Sequence, residues 1–224
     1  QLFRKEYGGE RMRQILRWTV YLLGMLSLAF GIALSGATGL GISPISSVAF
    51  SVSELSGLNY GDMTFVLYSL FVVAQFILRG RNSRIIDLLQ LAVSLVFSRV
   101  LNVFVAMITY DHTQHGFWSD FGLLLVAIVF IGIGVSGSVK MKLIPNPGDG
   151  IVQALAEKVG WEQGFAKNVF DIGCVCVTTT LGLVFRGTLV GVGIGTVAAM
   201  LGVGRVVALT NRLVMKKLCV AAGV

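Results

Sequence analysis

Two proline-led segments hold the residues of this sequence that are best suited to binding chemistry. One follows Pro44 and is rich in serine, and the other follows Pro147 in the run Pro-Asn-Pro-Gly-Asp-Gly. Hydroxyl, amide and carboxylate groups at the start of a helix can hydrogen-bond a ligand, and the helix N-terminus adds a partial positive charge. These residue types predict a binding site for a small polar or anionic solute.

Ten residues form the candidate substrate-binding set, because each side chain can hydrogen-bond or carry a charge. They are Ser43, Ser46, Ser47, Tyr68, Arg99, Asn102, Asn146, Asp149, Gln153 and Asp171. The serines and amides would supply hydrogen bonds, and Arg99 would neutralise a carboxylate or similar group of the solute. A structural ion pair explains Arg99 equally well.

Two carboxylates in this set have competing explanations. Asp149 and Asn146 both stand where a helix-capping residue is expected whatever the function. Asp171 is the one acidic residue well inside a full span, where a carboxylate is by default functional. We expect Asp171 to pair with Lys167, one turn earlier, or with Arg99, and to couple transport to protons.

Enzymatic and metal chemistry have few candidates in this sequence. No nucleophile and base stand at helical spacing within the apolar segments, and no histidine lies in one. His112 and His115 flank a polar run beside Asp111, which predicts a solvated outer loop rather than a metal site. The sequence therefore predicts a protein that is not an enzyme and holds neither a cofactor nor a metal.

The elements that must position the candidate residues are membrane helices. The chain has 224 residues, of which 55% are hydrophobic and 13% charged, whereas soluble proteins carry about 25% charged residues. Six windows are long and apolar enough to span a bilayer. They run from Ile15 to Gly36, Met63 to Leu78, Ile85 to Ile108, Asp120 to Val139, Ala166 to Phe185 and Thr188 to Leu209.

The net charge of +7 is explained by orientation in the membrane and does not require nucleic acid. Fifteen of the 18 lysines and arginines fall on one side of the predicted spans, which makes that side cytoplasmic. They are Arg4, Lys5, Arg11, Arg13, Arg17, Arg79, Arg81, Arg84, Lys140, Lys142, Lys158, Lys167, Arg212, Lys216 and Lys217. Arg186 stands alone on the opposite side, and Arg99 and Arg205 lie within spans. Both termini are therefore predicted to be cytoplasmic.

The two proline-led segments belong to an internal duplication. A shift of 103 residues places Pro44 on Pro147 without a gap. The same register joins Gly31 with Gly134, Glu54 with Glu157, Gly57 with Gly160 and Gly61 with Gly164, and farther on it slips by three, so that Arg99 matches Arg205. The chain is predicted to form a single membrane domain, with one repeat at about 15–108, a second at about 118–211 and cytoplasmic tails at 1–14 and 212–224.

Each repeat carries a helix that is too short to span a bilayer. The segments from Ile45 to Leu55 and from Ile151 to Val159 are closed by Gly57 and Gly160. About ten residues reach about 15 Å, half of the roughly 30 Å hydrocarbon core. We expect re-entrant half-helices, with half-helices lying flat in the interface as the alternative. The predicted fold is an all-α polytopic membrane protein, with six transmembrane helices as two inverted three-helix repeats, each with a re-entrant half-helix after its first span.

Three glycine-rich motifs occupy the turns of this chain. They are Gly39-Leu-Gly-Ile-Ser43-Pro44, Pro147-Gly148-Asp149-Gly150 with the following Ile151-Val-Gln-Ala-Leu155-Ala, and Val190-Gly191-Val-Gly193-Ile-Gly195-Thr196. On these motifs, the chain from about Arg17 to Leu209 resembles the YczE/YyaS/YitT type of small bacterial integral membrane proteins. The resemblance implies a multispanning protein of the bacterial cytoplasmic membrane, with transport as the usual suggestion and no substrate, cofactor or catalytic residue to carry over.

The function that these features predict is a membrane permease with its solute site at the midplane, between the two half-helices. A facilitative channel is the nearest alternative, because backbone that enters from opposite faces also builds a pore. A non-transporting membrane scaffold or regulatory protein is the alternative from a different class, although the tails are short and the loops compact. The expected partners are a small-molecule solute and the lipid bilayer, with no nucleic acid, and a homodimer is left open.

Overall fold

The structure is a computed structural model and describes residues 2–80 and 85–224. All regular structure in these residues is helical, which confirms the predicted all-α class. The helices are α1 (Leu2–Ala37), α2 (Pro44–Ser56), α3 (Tyr60–Arg79), α4 (Leu89–Met107), α5 (Phe117–Lys140), α6 (Pro147–Val159), α7 (Gln163–Arg186), α8 (Ile194–Thr210) and α9 (Lys216–Ala222), with short 3-10 turns at Ile85–Leu88 and His112–Gln114. Arg81 and Arg84, which enter the charge argument, lie outside the described residues, as do the side chains of Arg4 and Lys5.

Six of the described segments are long and apolar enough to cross a membrane, in agreement with the six predicted spans. They are Glu10–Ala37, Tyr60–Arg79, Leu89–Gln114, Phe117–Lys140, Gln163–Arg186 and Ile194–Ala222. The third and sixth spans, α4 and α8, begin later than predicted. Before α4, Asp87 pairs with Arg79 in a 3-10 turn. Before α8, Gly191 adopts a positive φ of 76°. After α8 the chain continues through a π-helical turn into α9, so most of 212–224 is helical.

The most extensive contact between two helices runs along α1 and α5, which pack antiparallel. A guanidinium nitrogen of Arg17, in the middle of α1, donates to the carbonyl of Met141, the residue after α5, at 3.0 Å. Farther along, a Cβ built at Gly31 would lie 2.8 Å from the Ala127 carbonyl oxygen. Small residues let these two backbones approach closely, as membrane helices commonly do.

The short helices α2 and α6 each have 13 residues and begin earlier than predicted. They start at Pro44 and Pro147 rather than at Ile45 and Ile151, because proline has no amide hydrogen to lose in the first turn of a helix. Both end at a glycine in the left-handed region, Gly57 at φ 72° and Gly160 at φ 76°, in agreement with the predicted ends.

Both short helices are enclosed by the same two long ones. α2 packs against α3 and α7, and α6 packs against α3 and α7. Serines fill much of the buried face of α2, whereas α6 buries glycine, alanine and valine. The centre of the molecule is therefore built from the beginnings of two short helices between two long ones.

Candidate functional site

The N-termini of α2 and α6 meet inside the protein. Pro44 and Pro147, which start the two helices, are both buried. A Cβ built at Gly148 would lie 3.4 Å from Cδ1 of Ile45, so this side chain packs on the backbone of the opposite helix. Two partially positive helix ends therefore face each other, with one aliphatic side chain between them.

The two helix ends are capped differently. Asn146 Oδ1 accepts a hydrogen bond from the Gly148 amide at 2.9 Å, so Asn146 caps α6 and Asp149 does not. Ser43 donates to Ser46 Oγ at 3.0 Å and makes no side-chain cap bond to the backbone of α2. The carboxylate of Asp149 is therefore free of the capping role that the sequence offered for it.

Three charged side chains gather at the start of α6. Lys167 Nζ lies 3.0 Å from each carboxylate oxygen of Asp171, so Lys167 is the ion-pair partner that the helical spacing predicted. Asp149 is half-buried and close enough to interact with both of these charges and with the buried Tyr68. Tyr68 also interacts with Asn146. Four of the ten candidate residues come together here.

A second polar group, without charge, lies at the start of α2. Ser47 Oγ donates to the Pro44 carbonyl at 2.7 Å and lies 2.9 Å from Oγ1 of Thr178. Ser46 is buried beside it. Thr178 follows Asp171 by seven residues on α7, or about 10 Å of helix rise. One face of α7 therefore joins the uncharged group at α2 to the charged group at α6.

With both aspartates ionised, the charges of Asp149, Asp171 and Lys167 sum to one negative charge. Asp171 is neutralised by Lys167, and the two side chains are 9% and 46% exposed. Within the described part of the chain, the Asp149 side chain has neither a hydrogen bond nor an ion pair. A partly buried carboxylate without a partner is costly in a membrane protein and attracts a cation or a proton rather than an anion.

Arg99 and Asn102 lie on a different part of the molecule. Arg99 Nη1 is 2.8 Å from Asp62 Oδ1, and its side chain is 62% exposed. Asn102 donates to the same oxygen at 3.2 Å and accepts from the Gly61 amide at 2.7 Å. These contacts join α3 to α4, and the ion-pair partner of Arg99 is Asp62 rather than Asp171.

The last candidate, Gln153, points away from the centre. Its amide donates to Glu157 on the exposed face of α6 at 3.0 Å. Within residues 2–80 and 85–224, no three His, Cys, Asp or Glu side chains are grouped to hold a metal ion.

The sequence analysis missed a buried amide pair next to the site. Gln75 and Gln90 exchange two hydrogen bonds at 3.2 Å, and Gln75 also donates to the Pro147 carbonyl at 3.3 Å. A Cβ built at Gly150 would lie 2.5 Å from Gln75 Oε1. Gln75 carries a sequence signal, since it is a polar residue in an apolar helix, whereas Gln90 lies near the predicted start of a span and carries none.

A cavity of about 710 Å³ opens beside the end of α2. The ends of α1, α2 and α4 and the segment after α7 line it, and its charged groups include Glu54, Asp111 and Arg186. The side chain and backbone of Thr113 and the side chain of Gln114 donate hydrogen bonds to the carboxylate of Asp111. These three charged groups are two carboxylates and one guanidinium. The charged group at α6 likewise has two carboxylates and one cation.

Six apolar helices around a partly polar centre define a polytopic α-helical membrane protein. The chain belongs to the family of unknown function DUF6198, whose model matches residues 15–212. It is 28% identical over 160 residues to the uncharacterized membrane protein YczE of Bacillus subtilis (strain 168), which covers 70% of this chain and 71% of that protein. The resemblance to YczE-type proteins is thereby confirmed. No solved structure matches the chain.

Proposed function

We propose that this protein is a membrane permease that binds a small polar solute between the N-termini of α2 and α6. The observation that carries the proposal is the meeting of these two helix ends next to Asp149 and the Lys167–Asp171 pair. Broken helices that end near the membrane midplane build the solute sites of many secondary transporters. A transporter needs no chemical step, and we propose no enzymatic activity and no cofactor.

Helix boundaries support the duplication. α1 and α5 end 103 residues apart, at Ala37 and Lys140. α2 and α6 begin with the same offset, and so do α3 at Tyr60 and α7 at Gln163. Equivalent helices in the two halves therefore begin or end at equivalent residues.

Contacts between α1 and α5 support inversion rather than a simple repeat. A Cβ at Gly24 would lie 3.0 Å from the Gly134 carbonyl oxygen, and a Cβ at Gly31 would lie 2.8 Å from that of Ala127. A shift of 103 residues exchanges these two contacts. Because α1 and α5 are equivalent in sequence and antiparallel, a two-fold axis that relates them runs across the helices, in the plane of the proposed membrane.

The dimensions of α2 and α6 favour re-entrant half-helices over helices lying flat in the interface. Thirteen residues give about 20 Å, which falls short of the roughly 30 Å hydrocarbon core. Their first residues are buried between α3 and α7, whereas their last residues, Ser56 and Val159, are exposed. This gradient is what entry from the surface towards the centre would produce.

The charge balance of the site favours a cationic solute, such as a protonated amine, or a proton. Arg99, which the sequence offered as the partner of a solute anion, is engaged with Asp62. The carboxylate of Asp149 remains as the group that would meet the charge of the solute, and Tyr68 and Asn146 would supply hydrogen bonds.

A carrier is favoured over an open channel. Ile45 packs against Gly148 where the two helix ends meet, and the large cavity is lined by the other part of α2, from Phe50 to Glu54. We further propose a location in the bacterial cytoplasmic membrane with both termini in the cytoplasm, which the distribution of basic residues and the bacterial relative support.

Reconstitution in proteoliposomes tests the function. A thermal-shift screen of purified protein with amines, carboxylates and neutral polyols would select solutes, and uptake of the best radiolabelled solute would follow. We expect cationic amines to raise the melting temperature most and uptake to saturate. Uptake that rises linearly with concentration would favour a channel, and stabilisation by carboxylates alone would contradict the proposed charge selectivity.

A further inference from the structure

Each short helix is tied by an ion pair to the end of a long helix from the other half of the chain. Glu54 on α2 lies 3.9 Å from Arg186 at the end of α7. Glu157 on α6 lies 3.1 Å from Arg79 at the end of α3. The two glutamates are 103 residues apart, so they occupy equivalent positions in the proposed duplication, and each arginine is the last residue of its helix.

The two pairs differ in how tightly they are held. The side chain of Arg79 is only 14% exposed and lies 3.4 Å from a second carboxylate, that of Asp87. Glu157 also accepts a hydrogen bond from Gln153. The two glutamates are similarly exposed, 51% for Glu157 and 47% for Glu54, whereas Arg186 is 54% exposed, so the difference lies in the arginines and in the distances.

The packing around the two pairs also differs, and it is looser around the Glu54–Arg186 pair. Glu54 and Arg186 line the cavity of about 710 Å³, and so does Ser53. The residue equivalent to Ser53 in the second half is Ala156, which is buried in a packed cluster with Val152 and Ala166. Among the described residues, the longer Glu54–Arg186 pair therefore borders a cavity, and the shorter Glu157–Arg79 pair lies on the helix that holds the packed cluster.

We propose that the Glu54–Arg186 and Glu157–Arg79 pairs are the two gates of the permease, and that the structure holds the state in which the Arg79 gate is closed and the Arg186 gate is open. This inference rests on the proposed function and supplies its mechanism of alternating access. In the other state the Arg186 pair shortens and its cavity closes, while the Arg79 pair separates and exposes the face of α6. Partly exposed ion pairs are individually weak, so either gate can open at little cost.

Accessibility of two equivalent positions tests this inference without any solute. Ser53→Cys and Ala156→Cys would be introduced separately into a variant in which Cys174, Cys176 and Cys219 are replaced by alanine. Labelling rates with a water-soluble maleimide would be measured on protein in nanodiscs. Ser53 and Ala156 have similar exposed fractions, 8% and 7%. We still expect faster labelling at position 53, because it borders a cavity that can admit the reagent, whereas position 156 lies in a packed cluster.

Breaking the closed gate should shift the balance between the two states. Arg79→Gln should raise the labelling rate at position 156 by about threefold, the size expected for loss of a weak ion pair, and should lower the rate at position 53, because the populations of the two states sum to one. Glu157→Gln should act in the same direction. Lys158→Gln removes one positive charge from the neighbouring exposed position of α6 and should leave both rates unchanged.

Other outcomes would contradict the proposal that the two ion pairs are gates. Rates that both rise on Arg79→Gln indicate general loosening, and a rise at position 156 alone indicates local opening without coupling to the other end. Unchanged rates show that the pair controls no opening. Because the assay needs no solute, reciprocal labelling without measurable uptake would contradict the proposed permease and leave the gates standing, whereas uptake without reciprocal labelling would do the reverse.

Discussion

The hydroxyl of Ser27 on α1 donates a hydrogen bond to the carbonyl of Phe130 on α5 at 2.8 Å, and the two residues are 103 positions apart. That separation equals the offset between the two halves of the sequence, so Ser27 contacts its own equivalent. Such a contact arises where a two-fold axis passes between two copies of one helix. Ile45 and Gly148, which touch at the candidate site, are also 103 positions apart. The proposed axis therefore runs from the seam of α1 and α5 to the site.

The seam between α1 and α5 should tolerate no added side-chain atoms. A Cβ at Gly134 would lie 2.5 Å from the Leu28 amide nitrogen and 2.7 Å from the Gly24 carbonyl oxygen, and backbone atoms cannot move aside. We expect Gly134→Ala to destabilise the protein by about 1–3 kcal/mol, measured as a lower melting temperature in detergent. Gly122→Ala in the same helix meets no atom within 4 Å and should be neutral or stabilising. Equal effects of the two variants would show that α1 and α5 do not pack this closely.

The ends of α2 and α6 should be reached from opposite sides of the membrane. Leu58 and Trp161 follow these helices at equivalent positions and are 54% and 38% exposed. In a cysteine-free variant in oriented vesicles, an impermeant maleimide should label Leu58→Cys only from outside and Trp161→Cys only from inside. Labelling of both from one side would rule out the inverted arrangement.

Asp149 should set the affinity for a cationic solute. Asp149→Asn keeps the size of the side chain and removes the unpaired charge, so we expect affinity for the best amine to fall by about tenfold, the value of one charge-assisted contact. The measurement is the concentration dependence of uptake or of the thermal shift. Glu10→Gln removes one carboxylate from the exposed start of α1 and should change nothing. Unaltered affinity in Asp149→Asn would place the solute elsewhere.

Asp171 should make uptake depend on pH. Its carboxylate faces Lys167 on its own helix and Asp149 on α6, with Tyr68 on α3 and Cys174 close to this group. Loss of the Asp171 charge would release Lys167 and change the charge that the solute meets. We expect Asp171→Asn to remain folded and to lose the pH dependence of uptake, measured over a series of external pH values. A pH profile unchanged from that of the natural protein would exclude Asp171 as the coupling group.

The two halves should accept exchange of equivalent pairs at the site. Ser47 of the first half meets Thr178 of the second, and their equivalents, Gly150 of the second half and Gln75 of the first, also meet. Gly150→Ser alone should destabilise the protein because its Cβ would clash with Gln75, and Gln75→Thr alone should do so by leaving Gln90 without its partner. The double variant should be more stable than the sum of the single effects predicts, by about 0.5–3 kcal/mol in a double-mutant cycle. Strict additivity would mean that the two positions do not touch.

The sequence alone determined the helices and their order. Apolar windows of about 20 residues predicted six spans, since only helices of that length satisfy their backbone within a bilayer. Pro44 and Pro147 marked the starts of the short helices to within a turn, and Gly57 and Gly160 marked their ends, because these residues act through local backbone geometry. Lys167 was predictable as a partner of Asp171 for the same reason, since both lie on one helical face.

Only the tertiary structure decided which helices meet. Periodicity tells which side chains share a face but not which neighbouring helix that face contacts. The sequence therefore left the ion-pair partner of Arg99 undetermined, and the packing of α3 against α4 places Asp62 beside it. Three further contacts likewise join residues that are far apart along the chain. They are Glu54 with Arg186, Glu157 with Arg79 and Ser47 with Thr178. Such contacts form when helices pack, so the charge of the site emerges only in the folded protein.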